Sequence, residues 1–328
     1  MHSKRQFLAT SAALAAGSLL PGLAGAQAAF PSRPIRIVVP NAAGGGADLT
    51  ARAVGQAIAG PLGQAVVIDN KPSAGGIVAG ETVSRAEPDG HTLLLISSGS
   101  AVSAALFKTM PFDTLKDFAP ISLLATFDLV IAVAGNSRFK TLPEMVSWAK
   151  ANPGKLNIGT PQIGTTQNLA AEMFKLTAGI DAQVVPFNGT PPVVTAVRGG
   201  EIDAMVDILG PLVTQISGKT LRALAVLGKD RAPQLPDVPA ARETGPAFAQ
   251  MNLSSWNGLA APAKTPPAVV DRLSKEVQAA LAKPELVQRL RDLNLTARSS
   301  TPQQARDFLA ADIQRWSDVI AKAKIQKL

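Results

Sequence analysis

The chain has 328 residues, 46% of them hydrophobic, and it contains no cysteine, which excludes a disulfide framework, a thiol nucleophile and a lipid-modified cysteine. It carries 32 Lys and Arg residues against 24 Asp and Glu, a formal net charge of +8, but only 4% of its residues are aromatic and none is tyrosine. With no dense basic run, this composition argues against nucleic acid as a partner and favours anionic small molecules.

The first 26 residues have the pattern of a secretory signal. Lys4 and Arg5 form a basic start, an Ala-rich apolar run covers 8–20, and Ala-Gly-Ala at 24–26 is a cleavage site. The apolar run is too short to anchor the chain in a bilayer. We therefore expect export to the periplasm, by the general secretory route or by the twin-arginine route, whose motif the segment 3–8 approximates. Cleavage after residue 26 would remove two basic residues and no acid, leaving a net charge of +6.

Short apolar strands alternate with helical segments between residues 35 and 100. The predicted elements are, in order, a strand at 35–39, a helix at 48–59, a strand at 65–68, the end of a helix at 80–86 and a strand at 92–96. This alternation predicts a parallel sheet whose faces are covered by helices. Such sheets bind ligands at the carboxyl ends of their strands, here near Pro40 and Ser97.

A long apolar stretch at 121–134 predicts a strand that carries the chain from one lobe to another. A second α/β series follows, with elements at 142–151, 156–159, 167–177, 183–187, 191–198, 202–206 and 221–227. The segment 253–261 then returns the chain to the first lobe, and helices at about 267–282 and 302–323 end it. We predict lobe 1 at 27–127 and 255–328, and lobe 2 at 128–254.

Five loops of small or polar residues each follow a predicted strand, and none of them contains lysine or arginine. They span 41–48, 97–100, 160–168, 187–190 and 207–210. The first is a glycine loop in front of a helix, which exposes backbone N–H groups at the positive end of that helix and suits an anion. Asp48 begins the helix, and we expect it to cap N–H groups there. A convergence of these loops would hold an anion by uncharged donors, each bond to the charge contributing about 1.5–3 kcal/mol.

A dinucleotide-binding site is a weaker interpretation of the first loop. Gly44 and Gly46 precede a helix and Asp69 ends the next predicted strand, but Leu49 occupies the third glycine position of the fingerprint. The export signal also disfavours a free nicotinamide cofactor. The sequence therefore predicts no cofactor.

An exported hydrolase using Ser98 or Ser100 is a further alternative. It would need a general base, and His91 is the single histidine after residue 26. His91 lies at the amino end of its strand, away from the loops, where we expect a solvated position. One histidine and no cysteine also leave no set of residues with the spacing of a metal site, so no metal is predicted.

Short motifs of one family are spread over nearly the whole chain from about Phe30. They are Pro31–Ile35, Pro40 with Gly44–Asp48, Gly75-Gly76, Glu87–Leu94, Leu115–Pro120, Pro153–Asn157, Leu221–Val226, Leu235–Pro239 and Trp256–Leu259. In this combination the chain resembles the Bug proteins, the periplasmic solute-binding receptors associated with tripartite tricarboxylate transporters. The resemblance implies an α/β, type II periplasmic-binding fold: two α/β lobes joined by two crossing hinge strands, with the ligand in the cleft between them.

The resemblance also implies a carboxylate ligand, held by residues of the same five loops. Carried over by position, the ligand-binding residues are Asn41, Ala42, Ala43, Gly44, Gly45, Gly46, Ala47, Ser97, Ser98, Gly99, Ser100, Thr160, Gln162, Gly164, Thr165, Thr166, Gln167, Phe187, Asn188, Gly189, Thr190 and Asp207.

Several of these positions depart from the family pattern. The family commonly has an aromatic residue and a proline where this chain has Asn41 and Ala43, Tyr-Lys where it has Phe187-Asn188, and a histidine at Asn168. Small residues in the first loop leave room for a bulkier ligand. An aromatic dicarboxylate therefore stands beside aliphatic di- and tricarboxylates as the expected ligand.

Together these observations predict a monomeric, non-enzymatic periplasmic protein that captures a small carboxylate for a membrane permease of the tripartite tricarboxylate type. The same pocket would equally serve a ligand receptor for a membrane sensor kinase, which remains the alternative.

Overall fold

The computed structural model describes residues 30–322 and 324–328. The predicted signal at 1–26 therefore lies outside the described residues. Within the described ranges, no helix combines the length and the apolar character needed to cross a membrane.

The described strands form one sheet made of two halves that share a single long strand. They are β1 (Ile35–Val39), β2 (Val66–Asn70), β3 (Thr92–Ser97), β4 (Phe118–Ala134), β5 (Leu156–Thr160), β6 (Ala182–Pro186), β7 (Ala204–Ile208), β8 (Leu221–Val226), β9 (Ser254–Pro262) and β10 (Thr296–Ala297). The strand order is β2-β1-β3-β9-β4-β7-β5-β6, and β8 and β10 both pair with β4. β1, β2 and β3 are parallel to each other, as are β5, β6 and β7, so the predicted parallel pairing is confirmed in each half.

Helices cover the faces of this sheet, as expected for parallel strands. They are α1 (Gly46–Leu62), α2 (Ile77–Ser84), α3 (Ser98–Leu106), α4 (Leu142–Ala151), α5 (Thr166–Ala178), α6 (Thr190–Gly199), α7 (Val213–Ser217), α8 (Pro267–Leu281), α9 (Pro284–Asp292) and α10 (Pro302–Lys322). Their ends follow the local sequence. For example, Thr141 caps α4 by accepting from Glu144 N at 3.3 Å, and Gly63, with φ of 69°, ends α1.

β4 passes through both halves of the sheet. Its residues up to Asp128 pair with β9, whereas Leu129 and the following residues pair with β7 and those from Val130 onward also with β8. The chain crosses a second time just before β9, where Leu253 N donates to Leu227 O at 2.8 Å. These two crossings agree with the proposed lobe boundaries at 127/128 and 254/255, which stay a proposal.

Three of the described helices were not predicted, α3, α7 and α9. α3 begins inside the expected loop 97–100, and Ser97 N donates to Ser100 Oγ at 3.2 Å in its first turn. Serine and alanine make up most of α3, and only Val102 and Leu106 are larger apolar residues on its buried face, so its hydrophobic period is faint. The first helix was predicted at 48–59, which is too short at both ends, because α1 begins at Gly46 and continues through Pro61 to Leu62.

The crossing strand β9 is anchored to the C-terminal helix by a buried tryptophan. Trp256, 1% exposed, donates from Nε1 to Asp312 of α10 at 2.7 Å. Burial raises the pKa of Asp312, while Arg315 in the next turn and the Trp256 bond act in the opposite direction. Trp256 is therefore part of the core and does not line a cleft.

Candidate functional site

The five polar loops lie where the sequence predicts them, at the carboxyl ends of β1, β3, β5, β6 and β7. Four of them lead directly into helices, since α1, α3, α5 and α6 begin at Gly46, Ser98, Thr166 and Thr190. Each helix start leaves backbone N–H groups without intrahelical partners and carries a partial positive charge. Prolines at 191 and 192 remove two of these donors from α6, so α1, α3 and α5 are the richer in donors.

The starts of α3 and α5 meet at a buried hydroxyl. Ser98 Oγ accepts from Thr166 Oγ1 at 2.8 Å and from Trp256 N at 3.3 Å, and it is hydrogen-bonded to Ser255 Oγ. Ser98, Thr166 and Ser255 are all at most 5% exposed. One hydroxyl thus ties a helix of the first half of the sheet to a helix of the second half and to the crossing strand β9.

Ser255 is a site residue that the sequence analysis missed. It directly precedes the family motif Trp256–Leu259, but its position in the sequence does not reveal that it faces Ser98. The pairing of Ser97 with Asn257 places the start of β9 level with the end of β3, and so beside the loop after β3.

Glycines allow the two halves to approach closely around this point. A Cβ on Gly164 would lie 3.5 Å from the Phe107 ring and 3.8 Å from Gly75 Cα. A Cβ on Gly46 would lie 3.3 Å from Ile208 Cδ1. Loops of the first and second halves are therefore in contact on more than one side of the site.

The first loop is closed on itself by Asp48, as the sequence predicts. Gly44 N donates to Asp48 Oδ2 at 2.9 Å, and Arg52 pairs with the same carboxylate at 2.9 Å. Burial acts to raise the pKa of Asp48, but the bonds from Arg52 and Gly44 outweigh it, and the pKa lies below its ordinary value. The Gly44 N–H is therefore occupied, and the N–H groups of Gly46 and Ala47 remain as the donors of this helix start.

The loop after β5 is ordered by its own side chains. Thr165 Oγ1 donates to Gln162 O at 2.7 Å and accepts from Asn168 N at 3.2 Å, which caps α5. Asn168 Nδ2 donates to Thr160 Oγ1 at 3.1 Å, and Gln162 Nε2 donates to Asn188 Oδ1 at 3.3 Å across to the loop after β6. Thr165 and Asn168 thus hold the α5 start in place, with Thr166 turned toward Ser98.

Asp207 is a fully buried carboxyl group at the end of β7. Its Oδ1 accepts from Ile208 N at 2.7 Å and from Gln167 Nε2 at 3.2 Å, whereas Oδ2 has no hydrogen-bond partner among the described residues. Burial raises the pKa of Asp207 to about 6, although the bonds from Ile208 N and Gln167 and the nearby Thr190 hydroxyl favour its ionised form. The Thr190 hydroxyl lies close to the carboxyl but forms no well-aligned hydrogen bond to either of its oxygens. No ion pair among the described residues includes Asp207.

The remaining predicted contacts differ in how far they are buried. Ala42, Ala43, Gly44 and Asn188 are exposed at the tips of their loops, whereas the others of the predicted set are partly or fully buried, namely Asn41, Gly45, Gly46, Ala47, Ser97, Gly99, Ser100, Thr160, Gln162, Gly164, Thr165, Gln167, Phe187, Gly189 and Thr190. Phe187 is half-buried, and its ring would lie 3.3 Å from a Cβ on Gly159, so it packs at least partly on the core of the second half.

The expectation that His91 is solvated was wrong. His91 is 5% exposed, its Nε2 accepts from Ser32 N at 3.1 Å, and the Phe30 ring packs edge-on at 5.1 Å. Its Nδ1 lies 3.2 Å from Asp89 Oδ2. The segment before β1 covers the histidine, which no local pattern indicated. His91 does lie at the amino end of β3, about 20 Å along the strand from Ser98.

Comparisons with known proteins agree with this architecture. The model of the family described as tripartite tricarboxylate transporter family receptor matches residues 50–325. Protein BugT of Bordetella pertussis is 31% identical over 293 residues, which are 89% of this chain and 89% of that protein.

Two solved structures of relatives carry bound acids. MatC from Rhodopseudomonas palustris, solved with malate, is 32% identical with a TM-score of 0.80, over 89% of this chain and all of that chain. Rpa4515 of R. palustris, solved with adipate, is 28% identical with a TM-score of 0.86, over 91% of this chain and all of that chain. The periplasmic binding protein BugD has the same fold, with 30% identity and a TM-score of 0.83 over 91% of this chain and all of that chain, so the expected periplasmic-binding fold is confirmed. The chain belongs to the tripartite tricarboxylate transporter receptor family, the family to which its sequence motifs pointed.

Proposed function

We propose that this protein is a periplasmic receptor that captures a small carboxylate between its two lobes and passes it unchanged to a membrane permease of the tripartite tricarboxylate type. The observation that carries the proposal is the meeting of the α3 and α5 starts at Ser98 and Thr166, inside a set of loops without lysine or arginine. Relatives of the same fold hold malate and adipate, which supports a dicarboxylate as the ligand class.

The free donors near this point divide between the two lobes. In the first lobe, the N–H groups of Gly46 and Ala47 and those of the α3 start, Ser98–Ser100, would receive one carboxylate of the ligand. In the second lobe, the α5 start at Thr166 and Gln167 would receive the other end. The remaining predicted residues of the five loops, including the exposed tip of the first loop, would then close over the ligand.

A ligand that bridges donors of both lobes favours the closed form, because only that form provides both sets of contacts. Binding of this kind needs no chemical step. The described surroundings of Ser98 also give no support to a hydrolase, since its hydroxyl is bonded to Thr166, Ser255 and Trp256 N and no histidine lies near it.

A thermal-shift panel of malate, adipate, citrate and phthalate tests the proposal. An acid present at 100 times its dissociation constant should add about 2.7 kcal/mol to the free energy of unfolding. Dimethyl adipate and dimethyl phthalate serve as matched controls, since they keep the carbon skeletons and lose the charges. Stabilisation by none of the acids, or equal stabilisation by acid and ester, would overturn the proposal.

A further inference from the structure

Asp207 differs from the other candidate site residues because it carries a buried carboxyl group that can be charged or neutral. Its carboxyl is fully buried, Oδ1 accepts from Ile208 N and Gln167 Nε2, and Oδ2 has no hydrogen-bond partner in the part of the chain that the structure describes. It ends β7 between the starts of α5 and α6, which contribute Gln167 and Thr190 on its two sides. An acceptor oxygen that is buried and unpaired costs free energy until it is given a hydrogen bond.

Among the described residues, no positive charge faces this carboxyl from the strands and helices packed around β7. β4 contributes only Asp128 as a charged residue, and β5 contributes none. α5 contributes Glu172 and Lys175, which pair with each other at 3.0 Å, and α6 contributes Arg198 in its last turn, at the opposite end from Thr190. None of these charges contributes to the pKa of Asp207.

An ionised Asp207 would therefore repel a ligand carboxylate at the α5 start. Two carboxylates that share a dry site do not both stay ionised, because the repulsion between them is poorly screened there. A single proton between them converts the repulsion into a strong O–H···O⁻ hydrogen bond. That proton would also give Asp207 Oδ2 the partner it lacks.

We propose that Asp207 enters the complex as a neutral acid whose Oδ2–H donates to a carboxylate oxygen of the ligand. This inference rests on the proposed function. Where Asp207 is ionised in the free protein, the proton comes from the solvent, and capture of one ligand then binds one proton as well. Binding of the dianion is thus coupled to protonation of Asp207, and the ligand itself undergoes no covalent change.

The proposal predicts how affinity varies with pH. Between pH 7 and pH 8, malate and adipate are fully ionised, so their own titration does not contribute. The dissociation constant of the wild-type complex should rise up to tenfold over this interval, since each complex takes up one proton. A ligand held by backbone N–H groups and hydroxyls alone would show a constant affinity there.

Calorimetric titrations with malate and with adipate at pH 7 and pH 8 test this inference. Each titration is run in phosphate and in Tris, whose different ionisation enthalpies reveal the number of protons bound. We expect close to one proton at pH 8 for the wild type. Asp207→Asn keeps a donor of similar size, so its affinity should be the same at both pH values and its proton uptake near zero.

The control variant is Asp203→Asn, just before the other end of β7, where the carboxylate accepts from Asn157 N at 3.0 Å outside the cleft. It should keep the wild-type pH dependence. A wild type that binds either acid without proton uptake, or an Asp207→Asn variant that keeps the full pH dependence, would overturn the inference and leave the receptor function intact. If neither acid nor any other member of the panel binds, the proposed function fails, and this inference fails with it.

Discussion

Replacing Asp207 by asparagine should make the stability of the free protein less dependent on pH. Burial raises the pKa of this carboxyl from 3.8 to about 6 in the folded chain. Its ionised form is therefore the one that folding disfavours. The stability present while the carboxyl is protonated is lost as the pH rises from 3.8 through 6.

The size of the effect follows from the two pKa values. At 1.36 kcal/mol for each pKa unit, the difference between the unfolded and folded pKa values changes the free energy of unfolding by about 3 kcal/mol in all. Because the unfolded chain is already partly ionised at pH 4, about 2 kcal/mol of this falls between pH 4 and pH 7. Asparagine is neutral throughout, so the variant should gain about 2 kcal/mol on the wild type over that interval.

Urea unfolding of both proteins at pH 4, 5, 6 and 7, followed by tryptophan fluorescence, measures this difference. The absolute offset between the proteins includes any new unpaired N–H of the amide and does not depend on pH, so the slope is the quantity of interest. Asp128 and Asp312, whose pKa values are also raised by burial, are present in both proteins and cancel. A difference that stays flat from pH 4 to pH 7 would refute the reasoning.

Three further substitutions test other parts of the structure. Thr166→Val removes one hydroxyl from Ser98 at nearly constant volume, so binding of the best acid of the panel should weaken by about 1 kcal/mol, roughly fivefold, in calorimetry; unchanged affinity would show that the bond does not contribute to closure. Gly199→Ala, exposed at the end of α6, where the new Cβ would meet only Glu201 Oε1 at 3.9 Å outside its own helix and chain neighbours, should stabilise the fold by about 0.5–1 kcal/mol in urea unfolding, and a loss would contradict the helical account. Gly135→Ala would drive its Cβ onto the carbonyl oxygen of Lys219 and should cost about 3 kcal/mol in the same assay, whereas a neutral result would mean that the backbone there gives way.

Nine of the ten described strands and the polar loops were predictable because each is marked by local pattern, whereas the two-residue β10 has no such pattern. β1 and α4 have the bounds that the sequence predicted or lie very near them, and all five loops follow strands. The side of the sheet on which they gather follows from parallel pairing, since the carboxyl ends of parallel strands share one edge. Residue types then indicated uncharged donors.

What could not be predicted depends on contacts between distant segments. Ser255 meets Ser98 across 157 positions of sequence, and no spacing rule links them. The cover of Phe30 over His91 is likewise a long-range contact. Asp207 was carried over as a ligand contact, but the burial and the unpaired Oδ2 that set its chemistry appear only when β7 is packed between α5 and α6.

The strand β4 makes the stability of each lobe depend on the other, because it belongs to the sheet of both. Its first eleven residues complete the sheet of one lobe and its last six complete that of the other, so neither hydrophobic core is whole if the strand is released. If one lobe unfolds and releases β4, the strands of the other lobe lose their backbone hydrogen bonds to it. We therefore expect the two halves to unfold together, in one cooperative transition.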